Sequence, residues 1–180
     1  KQHLKDYLNY LEIEKGRAIK TRENYQRYLK KFLDFSKIKN PGDINESNIK
    51  AFRLHLNRRN LNRSTQNYYL IALRNFLKYL QKGNIKTLLP EKIELAKIQD
   101  RQIEIIDQDE LERLLGAPGE TDLKSLRDRA ILELLFSTGL RVSELCSLNR
   151  KNIDFKKDEF SIKGKGGKIR VVFISDTAKE

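Results

Sequence analysis

The sequence predicts a mainly α-helical protein of two domains with one small antiparallel β-hairpin. Apolar residues recur at helical spacing through residues 4–80, whereas they alternate with polar residues around residues 160–174. The formal charge of +12 comes entirely from the first part of the chain. Residues 1–100 contain 22 basic residues (Lys and Arg) against 10 acidic residues (Asp and Glu), whereas residues 101–180 contain 15 basic and 15 acidic residues. We therefore predict a helical domain at residues 1–98, a linker at 99–106 and an α+β domain at 107–180.

Residues 1–98 predict four amphipathic helices separated by polar turns. The apolar stripes lie within residues 4–11, 25–33, 49–56 and 69–80. The candidate N-caps are Thr21 for the second helix, Asn45 or Ser47 for the third and Ser64 for the fourth. The aromatic residues fall on the apolar stripes, so we interpret them as core residues and not as a base-stacking surface.

Residues 107–180 predict three helical segments and a hairpin. Asp107 with Glu110 matches a capping box at the start of the first helix. A long helix follows at 123–138 and ends at Gly139, a shorter one covers 141–148, and a glycine-rich tip at 164–167 separates two strands. Residues 176–180 resemble the opening of another helix, so we expect the chain to end inside a fold.

The composition narrows the class of protein and of partner. A charge excess confined to one domain favours a polyanion such as nucleic acid, and the alternative is a basic surface kept for solubility. No apolar run approaches the length of a membrane span, and the N-terminus has no apolar signal region. One cysteine and two histidines predict no disulfide and no zinc cluster. We expect a cytoplasmic protein without a membrane partner.

The first candidate site is the segment Ser-Thr-Gly-Leu-Arg-Val-Ser-Glu-Leu at residues 137–145. A helix is predicted to end at Gly139 and Arg141 starts the next one, a setting that can hold a guanidinium rigidly for bidentate phosphate recognition. The N-terminus of the short helix is expected to add partial positive charge. The alternative is an ordinary surface arginine paired with Glu144.

The second candidate site is the tip Lys-Gly-Lys-Gly-Gly-Lys at residues 163–168. Its glycines permit a tight turn that exposes lysines, which could enter a groove or meet a reacting phosphate. The tip is not a Walker A loop, because that motif precedes a helix and this one lies between strands. The alternative is a hairpin that only adds solubility.

Together and in this order, the two segments resemble the tyrosine recombinase (phage integrase) family, especially its Xer-type members. Residues 126–135 with 139–145 match the first conserved box of that family, and residues 164–168 with 170–172 match its catalytic-lysine hairpin. In the first half, Thr21 with Tyr25, Ser64 with Thr65, and residues 73–76 resemble the helical, SAM-like core-binding domain. The resemblance covers nearly the whole chain, and the first box is its most specific part.

The resemblance implies roles for four residues and needs no metal or other cofactor. Arg141 would be the first of two arginines that grip the scissile phosphate and offset charge on its nonbridging oxygens. Lys165 would be the general acid that protonates the departing 5′ oxygen, with Lys168 as the alternative if the hairpin register shifts. Glu144 would support the geometry of the site.

The resemblance also implies that the helical domain clamps double-stranded DNA, with its second and fourth helices facing the major groove. We expect Thr65, Gln66 and Arg74 near bases or phosphates. The residues expected near the DNA backbone are Lys30, Lys31, Arg58, Arg59 and Arg63, and Lys168 is a further expected contact.

Several parts of the family's active site are not found in the sequence. The family needs a His-x-x-Arg motif, a further His or Trp and a tyrosine nucleophile that forms a 3′-phosphotyrosyl link, whereas the last histidine here is His55, the last tyrosine is Tyr79 and there is no tryptophan. We expect a chain that lacks the C-terminal part of the catalytic domain, is inactive alone and is a monomer. The complete protein is expected to recombine DNA at a short inverted-repeat site as a tetramer.

Two alternatives stay open at this point. One is a non-catalytic DNA-binding module, such as a natural short form that occupies recombination sites. The other is a helical protein-interaction domain whose basic charge is incidental. The sequence also does not distinguish chromosome-dimer resolution from integration or excision of a mobile element.

Overall fold

A computed structural model describes residues 2–98, 103–119 and 121–179, except for the side chain of Lys165. The chain divides into two compact units, Lys1–Arg101 (unit 1) and Gln102–Glu180 (unit 2). The predicted linker at 99–106 begins in residues 99–102, which lie outside the described part of the chain. Within the described residues, no helix is both long and apolar enough to cross a bilayer.

Unit 1 is built from four amphipathic helices. They are α1 (Gln2–Ile13), α2 (Ile19–Ser36), α3 (Glu46–Arg58) and α4 (Arg63–Lys82). Each helix turns its apolar stripe inwards, and α4 contributes the most buried residues. Tyr7, Phe32 and Phe52 are each 1% exposed, which confirms these aromatic residues as core residues, whereas Phe35 and Tyr68 are 38% and 55% exposed.

Asparagine side chains cap the N-termini of α3 and α4, whereas we predicted mainly Ser and Thr as the capping residues of unit 1. Asn45 caps α3, as expected, and its side-chain oxygen accepts from Asn48 N at 3.0 Å. The prediction of Ser64 as the cap of α4 is wrong: Asn62 is still extended and its oxygen accepts from Thr65 N, so Ser64 already lies inside the helix. The prediction of Thr21 is also wrong, because α2 begins at Ile19 after Ala18, which has no side-chain capping bond.

The segment that follows α4 packs against that helix and is hydrogen-bonded to it. It contains a 3-10 turn at Pro90–Lys92, with Pro90 and Ile93 buried. Asn67 of α4 is 5% exposed, and its amide donates to Ala96 O at 2.8 Å and accepts from Ala96 N at 2.9 Å. A buried amide that pairs with both backbone groups of one residue fixes that residue in place.

Unit 2 combines short helices with a two-stranded hairpin. The helices are α5 (Gln108–Gly116), α6 (Leu123–Thr138), α7 (Val142–Leu145) and α8 (Asp176–Lys179). The strands β1 (Glu159–Lys163) and β2 (Ile169–Phe173) are antiparallel, with Phe160 opposite Val172 and Ile162 opposite Arg170. This arrangement confirms the predicted mainly helical fold with one small antiparallel hairpin.

The core of unit 2 lies under one face of the hairpin. Its buried residues are Leu140, Phe160, Ile162, Val172 and Ile174. Asp107 and Glu110 form the predicted capping box of α5. The shorter helix is a single turn, four residues long, where we predicted 141–148. A turn this short has little macrodipole, so the positive charge near Arg141 comes from side chains.

Candidate phosphate site and basic surface

The turn between α6 and α7 fixes the backbone of Arg141 and leaves its side chain exposed. Gly139 ends α6 with φ +59°, the left-handed conformation that glycine adopts without strain. Leu140 is 6% exposed and anchors the turn in the core of unit 2. Arg141 follows as the N-cap of α7, with a side chain that is 63% exposed.

The carboxylate of Glu144 is buried beneath Arg141 and accepts hydrogen bonds from both the backbone and the side chain of that residue. Its side chain is 7% exposed. Oε2 accepts from the backbone N–H of Arg141 at 2.8 Å, and Oε1 accepts from Arg141 Nη1 at 2.9 Å. The guanidinium is therefore oriented through one of its nitrogens, and its exposed donors are available to an anion.

A second arginine, Arg170 of β2, completes this cluster. Its Nη1 donates to Glu144 Oε1 at 3.0 Å and its Nη2 donates to Glu144 Oε2 at 2.9 Å. This is the bidentate geometry that only a guanidinium offers to a carboxylate. One carboxylate thus holds two guanidinium groups, and the three side chains together carry one net positive charge. We call Arg141, Glu144 and Arg170 the arginine cluster.

The hydrogen bonds within the arginine cluster shift the pKa values of its side chains. Those from the Arg170 side chain and then from the Arg141 backbone lower the pKa of Glu144 to about 2. The same carboxylate raises the pKa of Arg170. Glu144 is therefore ionised throughout the physiological range, and the cluster keeps its charge.

The hairpin tip lies beside the cluster within unit 2. Gly164 donates its N–H to Lys168 O at 2.7 Å and closes the turn, in which Gly166 and Gly167 have positive φ. A Cβ on Gly164 would stand 3.0 Å from Arg170 Nη1 and 3.1 Å from Glu144 Oε1. The hairpin backbone therefore packs directly against the Arg170–Glu144 bridge.

The predicted lysines occupy the tip of this hairpin. Lys165 begins the 3-10 turn Lys165–Gly167, and its side chain lies outside the described residues. Lys168 is exposed immediately before β2. Their proposed roles stay predictions.

The sequence predicted that Arg141 pairs with Glu144, but it did not predict that Arg170 also bonds to Glu144. The predicted alternative of a surface ion pair is only partly correct, because the pair exists but its carboxylate is buried and shared. One signal in the sequence pointed to Arg170. It lies two residues before the buried Val172, so both side chains lie on the inward face of β2. An arginine at an inward strand position needs a carboxylate partner.

Three of the predicted DNA contacts gather on one open, only slightly concave surface of unit 1, between α2 and α3. Lys30, Lys31 and Arg59 line it, in a shallow depression of about 430 Å³. The remaining lining residues are Arg27, Asp34, Phe35 and His55. Lys31 Nζ lies 3.4 Å from the Tyr69 hydroxyl, which steadies its position. We call this surface the basic concavity; it has four cationic side chains against one carboxylate.

The other predicted contacts lie outside the basic concavity. Arg58 and Arg63 are exposed near the α3–α4 turn, and Thr65 and Arg74 are half-buried on α4. Gln66 is also half-buried, and its amide donates to Leu61 O at 2.7 Å, so this donor holds the α3–α4 turn.

Comparisons with known proteins cover both units. The model of the phage integrase family matches residues 104–180, and that of the phage integrase N-terminal SAM-like domain matches residues 4–84. The chain is 32% identical over 179 residues to "Tyrosine recombinase XerC" of Thermodesulfovibrio yellowstonii, covering 99% of this chain and 59% of that protein. It is 34% identical over 181 residues to "Tyrosine recombinase XerD" of Oceanobacillus iheyensis, covering 98% of this chain and 61% of that protein. The chain thus spans about three-fifths of the length of these relatives.

A solved structure shows the same fold. The structure of a lambda integrase dimer bound to a COC′ core site matches 96% of this chain and 61% of that chain with a TM-score of 0.74. The sequence identity is 20%, so this likeness concerns the fold alone.

Proposed function

The chain belongs to the phage integrase family of tyrosine recombinases, and from that premise we propose that it grips DNA during site-specific recombination. In this proposal unit 1 holds the duplex and unit 2 supplies part of the strand-transfer site. The recombination reaction belongs to the complete protein.

One observation carries the proposal for unit 2: Arg141 has an oriented but exposed guanidinium. Its side chain is 63% exposed although Glu144 holds both its backbone and one guanidinium nitrogen. A cation fixed before the reaction stabilises the charge that develops on nonbridging phosphate oxygens without further reorganisation. Arg141 therefore binds the scissile phosphate in this proposal.

The proposed chemistry is an exchange of phosphodiester bonds. The ionised oxygen of a tyrosine attacks phosphorus, the bond from phosphorus to the 5′ oxygen breaks, and the Lys165 ammonium gives a proton to that leaving oxygen. Lys168 is the alternative donor. We place the nucleophile outside these 180 residues, because unit 2, which contains Arg141 and Lys165, has no tyrosine. By itself, the chain then binds DNA without cleaving it.

For unit 1 we propose that the basic concavity contacts the phosphate backbone. Lys30, Lys31 and Arg59 converge there, and cations at fixed positions replace the counterions of DNA. We further propose that Thr65, Gln66 and Arg74 on α4 approach bases or phosphates. Arg58 and Arg63 would extend the interaction along the backbone.

The test for unit 1 is duplex binding by the full chain over a series of salt concentrations, measured by fluorescence anisotropy. The variant Lys30→Gln/Lys31→Gln should bind all duplex sequences more weakly, and the slope of log affinity against log salt should fall by roughly 0.9 for each phosphate that the variant no longer neutralises. Lys5→Gln/Lys39→Gln removes the same charge at two exposed positions outside the basic concavity and is the control. An equal reduction of affinity in both variants would mean that only net charge matters and would refute the assignment.

The setting of the complete protein follows from the family resemblance. We propose a cytoplasmic recombinase that acts as a tetramer on short inverted-repeat DNA, in chromosome segregation or on a mobile element. We propose that this chain alone is a monomer. Sedimentation analysis tests this point, because a mass that rises with protein concentration would contradict it.

A further inference from the structure

The arginine cluster contains one residue whose part in phosphate binding is indirect. We propose that Arg170 is a positioning residue: it fixes the Glu144 carboxylate so that Arg141 presents its exposed donors, and it keeps the cluster cationic. The inference deepens the proposed function, because it takes Arg141 as the group that meets phosphate.

The charge balance of the cluster depends on Arg170. Arg141 and Glu144 alone would form a neutral pair, whose attraction for a phosphate is weak at any distance beyond direct contact. With Arg170 bonded through both Nη atoms, the carboxylate is shared and one net positive charge remains. The second guanidinium therefore strengthens the field that draws an anion towards Arg141.

The geometry of the cluster also depends on Arg170. The two parallel hydrogen bonds from Arg170 add to the two that the carboxylate accepts from Arg141, and together they fix its plane more firmly than the Arg141 bonds alone. Arg170 is placed in turn by β2, where it lies opposite Ile162 and two residues before the buried Val172. The packing of the hairpin is thus transmitted through Arg170 and Glu144 to the exposed guanidinium of Arg141.

The competing view is that Arg170 contacts DNA itself. Its side chain is 37% exposed, against 63% for Arg141, and both of its terminal nitrogens donate to Glu144. Arg170 therefore has fewer donors directed to solvent than Arg141. An indirect role predicts that the effect of a charge-conserving change of Arg170 disappears when Arg141 is absent, whereas direct contact predicts that it persists.

The experiment is a titration of the 15N-labelled full chain with inorganic phosphate, followed by amide and guanidinium NMR signals of unit 2. Arg170→Met should weaken phosphate binding by roughly five- to tenfold, as expected when one charge a few ångströms from the anion is removed. Arg170→Lys keeps the charge but not the bidentate bonds, and should fall between wild type and Arg170→Met. Lys151→Gln removes an exposed charge of unit 2 outside the cluster and is the control.

The double variant Arg141→Met/Arg170→Lys separates the two roles, because Arg170→Lys keeps the charge of the cluster. We expect it to bind phosphate no more weakly than Arg141→Met alone, a result that general loss of structure would not give. If Arg170→Met binds as wild type does, or if Arg170→Lys weakens binding further in the Arg141→Met background, the inference is overturned. If the wild-type chain binds phosphate and Arg141→Met does not reduce it, the proposed function of Arg141 fails instead.

A second measurement does not depend on the anion. The pKa of the Glu144 carboxyl, followed by carbon NMR in acid, should rise from about 2 in wild type when Arg170 is replaced by Met. Because the Arg170 side chain is the largest cause of the low pKa, an unchanged value would show that the carboxylate does not need it.

Discussion

Replacing Gly164 by alanine tests whether the hairpin backbone and the arginine cluster are packed as one body. Gly164 has φ −90° and ψ −165°, an extended conformation that alanine adopts without strain. The added Cβ would lie 3.0 Å from Arg170 Nη1 and 3.1 Å from Glu144 Oε1. The substitution therefore changes the packing against the bridge and little else.

Two opposing effects set the size of the change. Alanine restricts the unfolded chain, which stabilises the fold by about 0.4–1 kcal/mol. Overpacking costs about 1–3 kcal/mol, and the lower part of that range applies because the Arg170 side chain is 37% exposed and can move outwards. We expect Gly164→Ala to lower the free energy of unfolding of unit 2 by about 1 kcal/mol. As the bridge lengthens, the pKa of Glu144 should rise above its value of about 2.

The assay is urea unfolding of the full chain, followed through the NMR signals of β1 and β2, with an acid titration of Glu144. Gly116→Ala is the control, because no atom lies within 4 Å of the position of its Cβ and it ends α5, where alanine favours the helix. If Gly164→Ala is as stable as wild type and leaves the pKa of Glu144 unchanged, the close packing of hairpin and cluster is refuted.

Three further outcomes are expected. Asn62→Ala should destabilise unit 1 by about 1 kcal/mol because the cap of α4 is removed, while Ser64→Ala has little effect on urea unfolding. Acid should destabilise unit 2. The pKa of Glu144 is lowered from 4.5 to about 2, so the stabilising contribution of its carboxylate is complete above pH 4.5 and is lost as the pH falls towards 2. Hydrogen exchange of the β2 amides would detect this loss. Asn67→Ala should release the segment around Ala96 at a cost of about 1–2 kcal/mol, and unchanged exchange of the Ala96 amide would contradict this.

The family assignment suggests why the cationic side chains of unit 1 and unit 2 are arranged differently. In unit 1 four cationic side chains share one shallow depression and others are spread over the surface, which suits binding to a continuous phosphate backbone. In unit 2 the arginines are held by a buried carboxylate, which suits a single phosphate at a fixed position. In our proposal the first arrangement supplies affinity for DNA, and the second orients the reacting phosphate.

The sequence by itself determined most of the secondary structure and the residues near Arg141. Helical periodicity, the Asp107 capping box and Gly139 at the end of α6 are local signals, because each depends on neighbours within a few positions. The same local signals located the hairpin. They misplaced the start of α4, because Ser64 and Asn62 are both good capping residues and only the backbone conformation chooses between them.

Only the tertiary structure decided how the arginine cluster is assembled. Arg170 is 26 residues from Glu144 in the chain, and no periodicity links a strand position to a helix turn at that separation. Their bridge exists because the packing of Phe160, Ile162 and Val172 brings β2 beside α7. Local spacing indicated an arginine paired with an acid, and the fold buried that acid and gave it a second arginine.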